Sequence, residues 1–105
     1  MSYISTEIET YQIAIFPQTG TPAKINLYSG NSVFAVLFLR PDDEELQKAH
    51  LDTQVGYLRV YYHRSALAEL VDLMRNEKPV YLHYWEGDGD NTHVASGQEP
   101  VGEGE

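Results

Sequence analysis

The chain has 105 residues, carries a net charge of −9 and contains no cysteine. The missing cysteine excludes disulfides, thiolate catalysis and zinc sites built on sulfur. The acidic balance argues against nucleic acid, which is bound mainly through cationic contacts, and against an anionic membrane surface. Hydrophobic residues make up 42% of the chain, a value typical of folded proteins, and we assign residues 1–97 to a single domain.

The first predicted strand covers residues 6–16, and its alternation changes partway along. Ile4 and Ile8 share one parity, and the hydrophobic residues beyond Glu9 share the other. These later residues are Tyr11, Ile13 and Ile15. A period of two that changes parity indicates a bulge or a break in the strand. Residues 17–22 are predicted to form a turn from their proline and glycine content.

A β-hairpin follows. Residues 23–29 alternate cleanly, and Gly30 with Asn31 fits a two-residue turn before a second strand that ends at Arg40. This turn sets Leu27 opposite Phe34 and places both on the core face. On that register the reverse face of the second strand is also apolar, and it consists of Val33, Ala35, Leu37 and Leu39.

One convincing helix lies in the second half of the chain. It runs from Ala66 to about Asn76, with Ser65 as its N-terminal cap. Its hydrophobic stripe, spaced at i, i+3, i+4 and i+7, is Leu67, Leu70, Val71 and Met74. Strands are predicted at 54–63, 80–85 and 92–96, and residues 41–52 form either a short helix or a solvated loop. Residues 98–105 are predicted to be an acidic tail.

The two strands that flank the helix share a polar and aromatic face. The candidate ligand-binding residues on it are Arg59, Tyr61, His63, His83 and Trp85. If the strands are neighbours, the rings would stack on a ligand and the cationic groups would hold an anion. The alternative is a face packed by a partner subunit, since tyrosine, tryptophan and arginine are also enriched in interfaces.

No catalytic constellation, metal site or cofactor is predicted. The four histidines lie singly on separate segments, without the tight ligand pair that zinc sites normally show. Asp88, Asp90 and Glu99 imitate part of a calcium loop, but His93 stands where that loop needs glycine. The chain has no nucleophile elbow and no glycine-rich phosphate loop.

These patterns predict an α+β fold, with a mostly antiparallel sheet of five or six strands and one α-helix packed on it. One helix covers one face of the hairpin. The second apolar face, Val33 to Leu39, therefore predicts either a sheet curled into a barrel or an oligomer interface, and we favour a homo-oligomer.

The functional prediction is a non-enzymatic interaction module in the cytoplasm. The N-terminus lacks the regions of a signal peptide, and the longest apolar run is too short to span a bilayer. The alternative function is a small-molecule binding protein, or a minor enzyme, that uses the polar and aromatic strand face for an anionic or aromatic ligand.

Overall fold

A computed structural model of the chain describes residues 3–17 and 22–98. Within these residues eight strands and one α-helix confirm the predicted α+β class. In chain order the strands are β1 (Tyr3–Glu7), β2 (Thr10–Ile15), β3 (Ala23–Ser29), β4 (Ser32–Arg40), β5 (His50–Asp52), β6 (Tyr57–His63), β7 (Val80–Trp85) and β8 (His93–Ser96). A 3₁₀ turn at Arg64–Ala66 leads into helix α1 (Leu67–Asn76), and another at Gly89–Asn91 precedes β8.

The described strands divide between two sheets, which the sequence did not predict. One sheet has three strands in the order β1-β7-β8, and the other has five in the order β2-β3-β4-β6-β5. β4 and β6 pair in parallel, and the remaining described pairs are antiparallel. Neither sheet closes into a barrel, so the barrel alternative is wrong.

Ile8 and Glu9 carry the chain from the three-stranded sheet to the five-stranded one. The N–H of Ile8 donates to the carbonyl of Val80 at 2.8 Å, and the N–H of Glu9 donates to the carbonyl of Tyr28 at 2.9 Å. Ile8 is therefore hydrogen-bonded to the three-stranded sheet, and Glu9 is hydrogen-bonded to the five-stranded sheet. The parity change predicted near Glu9 is confirmed, because the strand breaks here and the chain changes layers.

A single hydrophobic core is built from both sheets and α1. Its largest fully buried side chains are Ile25, Leu27, Leu37, Leu39 and Leu82. Leu70 is the buried residue of α1, and Leu73 packs beside it against the core. Each fully buried side chain of this size contributes about 1.5–3 kcal/mol relative to an exposed one.

The register of the hairpin differs from the prediction. The turn at Gly30 forms as predicted, but a β-bulge lies next to Tyr28, and Leu27 pairs with Ala35 instead of Phe34. Because side chains alternate in direction, a shift of one residue moves every later residue of β4 to the opposite face. The predicted pairing of Leu27 with Phe34 is therefore wrong.

This shift corrects the predicted oligomer interface. Of its four residues, Val33 is half-buried, and three have no exposed surface at all. These three are Ala35, Leu37 and Leu39, at 0% exposure. The chain covers them itself, because the bulge turns them toward the core and the second sheet supplies the missing layer. They offer no surface to a partner.

Helix α1 begins at Leu67 without a side-chain cap, so the predicted capping role of Ser65 is wrong. Ser65 lies in the preceding 3₁₀ turn, where its N–H donates to Asp42 Oδ1 at 3.0 Å. That bond ties the irregular segment after β4 to the start of the helix. The predicted tail, apart from Gln98, and most of the predicted turn at 17–22 lie outside the described residues. No helix in the described part of the chain has the length and apolarity needed to cross a membrane.

Candidate interaction surface

The structure separates the five predicted ligand-binding residues into two groups. Arg59, Tyr61 and His63 lie on β6, in the five-stranded sheet, whereas His83 and Trp85 lie on β7, in the three-stranded sheet. The alternate residues of β6 and β7 point into the shared core, so the two groups lie on different outer faces. A single patch required β6 and β7 to be neighbouring strands, but the neighbours of β6 are β4 and β5.

Arg59 is the centre of a cluster on the outer face of the five-stranded sheet. Its Nε donates to Asp52 Oδ2 at 2.7 Å, and its guanidinium carbon lies 5.0 Å from the Phe38 ring centroid and 5.6 Å from that of Tyr57. Tyr61 stacks on Phe38 with 5.5 Å between ring centroids. The hydrogen bond between the charged groups raises the pKa of Arg59 and lowers the pKa of Asp52. The cation of this cluster is therefore already matched by a carboxylate of its own chain.

His63 and Arg40 secure the segment that follows β4. The Nε2 atom of His63 lies 2.8 Å from the carbonyl oxygen of Glu44, so this nitrogen carries the proton and donates it. Arg40 binds the carboxylate of Glu44 with two nitrogens, Nε at 2.5 Å and Nη2 at 2.8 Å. This fork holds the pKa of Glu44 below its usual range. The contacts give His63 a structural role.

A second aromatic cluster covers the outer face of the three-stranded sheet. The Oη atom of Tyr3 lies 2.6 Å from Nδ1 of His83, and the ring of His93 stacks on His83 with 4.9 Å between centroids. Trp85 contacts Tyr3, with 4.5 Å between ring centroids. Burial, followed by the nearby His93, lowers the pKa of His83 and favours its neutral form. Within residues 3–17 and 22–98 no three metal-binding side chains converge.

A cleft of about 640 Å³ lies where the end of α1 meets the crossing between β1 and β2. Its wall includes three acidic residues, Glu7, Glu9 and Glu77, and one basic residue, Lys78. Glu9 is already engaged, because its Oε1 accepts the N–H of Gly30 at 2.7 Å. The excess of carboxylates makes this cleft unfavourable for an anionic ligand.

Sequence reasoning missed the open edge of the five-stranded sheet. β2 is the outermost strand of that sheet: it pairs with β3 on one side, and no strand among residues 3–17 and 22–98 pairs with its other side. Its six residues, TYQIAI, include neither a charge nor a proline. Ile13 and Ile15 pair with the fully buried Ile25 and Ala23, yet they remain 37% and 63% exposed. At β2, therefore, the inner face of the sheet is no longer covered by the rest of the molecule, and its hydrophobic side chains are exposed to solvent.

The backbone of β2 is directed to accept a further strand. The N–H of Phe16 donates to the carbonyl of Pro22 at 2.9 Å, which continues the register of β2 with β3. The even-numbered residues of β2 thus direct their N–H and C=O groups toward β3. Since these groups alternate in direction along a strand, Tyr11, Ile13 and Ile15 direct theirs toward the open edge. Such an edge is a template for pairing with another chain.

The other edge strands carry features that discourage pairing. β5, at the opposite edge of the same sheet, has only three residues and ends on Asp52. In the smaller sheet β1 ends on Glu7, and β8 has only four residues. Short length and charge are the devices by which natural sheets avoid edge-to-edge association. β2 has neither device and is the candidate interaction surface of this protein.

Comparison of the chain with protein-family models, with curated proteins and with solved structures finds no match. The functional conclusion therefore depends on the surfaces of the molecule, and above all on the open edge of β2.

Proposed function

We propose that this protein is a non-enzymatic interaction module that assembles into a homo-oligomer. The observation that supports this function is the open edge of β2, an uncharged strand with Ile13 and Ile15 exposed. Because each chain carries a net charge of −9, two copies repel each other, and an uncharged strand is where they meet at the lowest electrostatic cost. The cytoplasm is the proposed location of this module.

The exposed isoleucines supply the hydrophobic part of the association. Ile13 and Ile15 already lie on the face that the rest of the sheet buries, so a partner strand extends the existing core. Complete covering of an isoleucine contributes about 1.5–3 kcal/mol, and the partial exposure of these two reduces that gain in proportion. Backbone hydrogen bonds along the edge add directionality.

The replacement Ile13→Lys tests this function. A lysine places a charge in the middle of β2, and edge lysines oppose strand pairing. We expect the wild-type protein to sediment as an oligomer at micromolar concentration and Ile13→Lys to sediment as a monomer with an unchanged circular dichroism spectrum.

Leu51→Lys is the matched control, since Leu51 is 51% exposed on the opposite edge strand, β5. This variant should keep the wild-type assembly. A wild-type protein that is strictly monomeric at micromolar concentration, or an Ile13→Lys variant that assembles as the wild type does, contradicts the proposal.

A second candidate function is small-molecule binding at the Arg59 cluster. The cluster of Phe38, Tyr57 and Tyr61 around the guanidinium of Arg59 is suited to stacking on an aromatic ligand, whereas the ion pair with Asp52 disfavours an anionic one. A metabolite panel monitored by thermal shift should then give a stabilised wild type and an unresponsive Arg59→Ala variant. Trp85→Ala, on the other sheet, is the control and should respond as the wild type does. Equal responses in Arg59→Ala and the wild type contradict this assignment.

A further inference from the structure

We infer that β2 pairs with β2 of a second copy of the chain, antiparallel and centred on Ile13, so that two five-stranded sheets become one continuous sheet. The inference rests on the proposed function, which already names a second copy as the partner, and adds two features to it. These are the position of the two-fold axis and the register of the two strands.

The backbone selects the register. Only odd-numbered residues of β2 direct their hydrogen-bonding groups outward, so odd residues must oppose odd residues across the two-fold axis. When the axis passes through Ile13, Ile13 opposes itself and Tyr11 opposes Ile15. Every outward N–H and C=O of β2 then has a partner in the other copy.

The adjacent registers leave groups unpaired. An axis at Gln12 sets Ile15 against Glu9, but the N–H of Glu9 already donates to the carbonyl of Tyr28. An axis at Ala14 sets Tyr11 against Pro17, which has no N–H to donate. The register centred on Ile13 avoids both losses.

The side chains of β2 are self-complementary in this register. On the inner face Ile13 meets Ile13, and Tyr11 meets Ile15, so each contact is apolar. On the outer face Gln12 meets Ala14, and no charged groups are brought together. The exposed surface of Ile13 and Ile15 is covered by equivalent residues of the other copy, which favours a second copy over a foreign strand as the occupant.

The assembly closes at a dimer. A two-fold interface uses the β2 edge of both copies, and the edges left on the joined sheet are the two β5 strands. β5 has three residues, and its Asp52 is held in the ion pair with Arg59. Short, charged edges do not extend the sheet further.

Cysteine cross-linking tests the register, since the natural chain has no thiol to compete. In Ile13→Cys the two new residues oppose each other with Cα atoms roughly 5.5 Å apart, within the range of roughly 4.4–6.8 Å that disulfides span. We expect mild oxidation to convert most of this variant to a covalent dimer on a non-reducing gel.

Ala14→Cys is the matched variant one residue along the strand. Its two cysteines are offset by two residues across the axis, roughly 8 Å apart from the strand rise and spacing, which is beyond disulfide reach. Ala14→Cys alone should therefore stay uncross-linked. Mixed with Gln12→Cys, which it opposes, it should form a covalent heterodimer.

Failure of the register and failure of the proposed function are distinguishable. If the wild type sediments as a dimer but Ala14→Cys cross-links with itself as well as Ile13→Cys does, the register is overturned and the proposed function stands. A wild-type assembly larger than a dimer overturns the inference that association stops at two copies. A monomeric wild type with no cross-link at any of the three positions overturns both and leaves β2 for a strand of a different protein.

Discussion

The imidazole of His83 is held on three sides by other rings on the outer face of the three-stranded sheet. Tyr3 contacts its Nδ1 atom, and the ring centroids of Trp85 and His93 lie 6.3 Å and 4.9 Å from its own. Loss of solvent disfavours the charged imidazolium, and a second charge on His93 would oppose it further, so the pKa of His83 is lowered. This residue therefore links the stability of the fold to pH.

Stability should fall as the pH falls through the range below about 6.5, the usual pKa of histidine. In the unfolded chain His83 takes up a proton near that pH, whereas in the folded chain it does so only at lower pH. The unfolded state then binds more protons, so acid favours unfolding. We expect His83→Phe, which keeps a ring beside Tyr3, to lose less melting temperature than the wild type between about pH 7.5 and about pH 5.5.

Thermal melts at the two pH values provide the measurement. His50→Phe, in the other sheet, is the matched histidine replacement and should keep the wild-type loss. A loss of equal size in His83→Phe and the wild type would show that the lowered pKa does not affect folding.

Among the elements, β4 shows what the sequence predicts and what it leaves undetermined. The strand, its antiparallel partner β3 and the turn with a positive φ of 64° at Gly30 all follow from alternation and glycine. The sequence pattern does not predict the bulge, in which Phe34 of β4 is left without a partner between the pairs Tyr28–Val33 and Leu27–Ala35. Both faces of β4 are hydrophobic, so neither register leaves a polar group in the wrong place and the sequence pattern is the same for both.

The neighbours of a strand are a second limit of sequence reasoning. The alternation of β6 and β7 identified each strand and its outward residues, but a period of two carries no information about which strand lies alongside. The parallel pairing of β4 with β6 and the division into two sheets depend on contacts distant in sequence. For that reason the single patch of Arg59 and Trp85 became two, and the edge position of β2 was not foreseen.

Replacement of Leu37 tests the corrected face of β4. Leu37 is fully buried opposite Ile25, so Leu37→Ala leaves a cavity in the core. We expect a loss of about 2–5 kcal/mol in the free energy of unfolding, measured by urea titration. Leu51→Ala, at an exposed position of β5, should change it by less than about 0.5 kcal/mol. A loss as small as that in Leu37→Ala would contradict the observed register.

At the scale of the whole molecule, an acidic chain presents one edge strand, β2, that has no charged residue. The net charge of −9 opposes the approach of two copies, and in the proposed assembly the uncharged β2 is where they meet. Added salt weakens the repulsion and leaves the apolar contact unchanged. On this proposal, association is confined to one edge of the sheet, and added salt should strengthen the dimer.

The same hexapeptide of β2 has a further consequence in the free subunit. A six-residue segment with four strong strand formers, no charge and no proline has the composition from which cross-β fibrils nucleate. In the proposed dimer this segment is paired with its equivalent, so the dimer would block fibril growth at β2 and the free subunit would not. Replacements that break the proposed dimer without adding a charge to β2 would then increase the tendency of the protein to form fibrils.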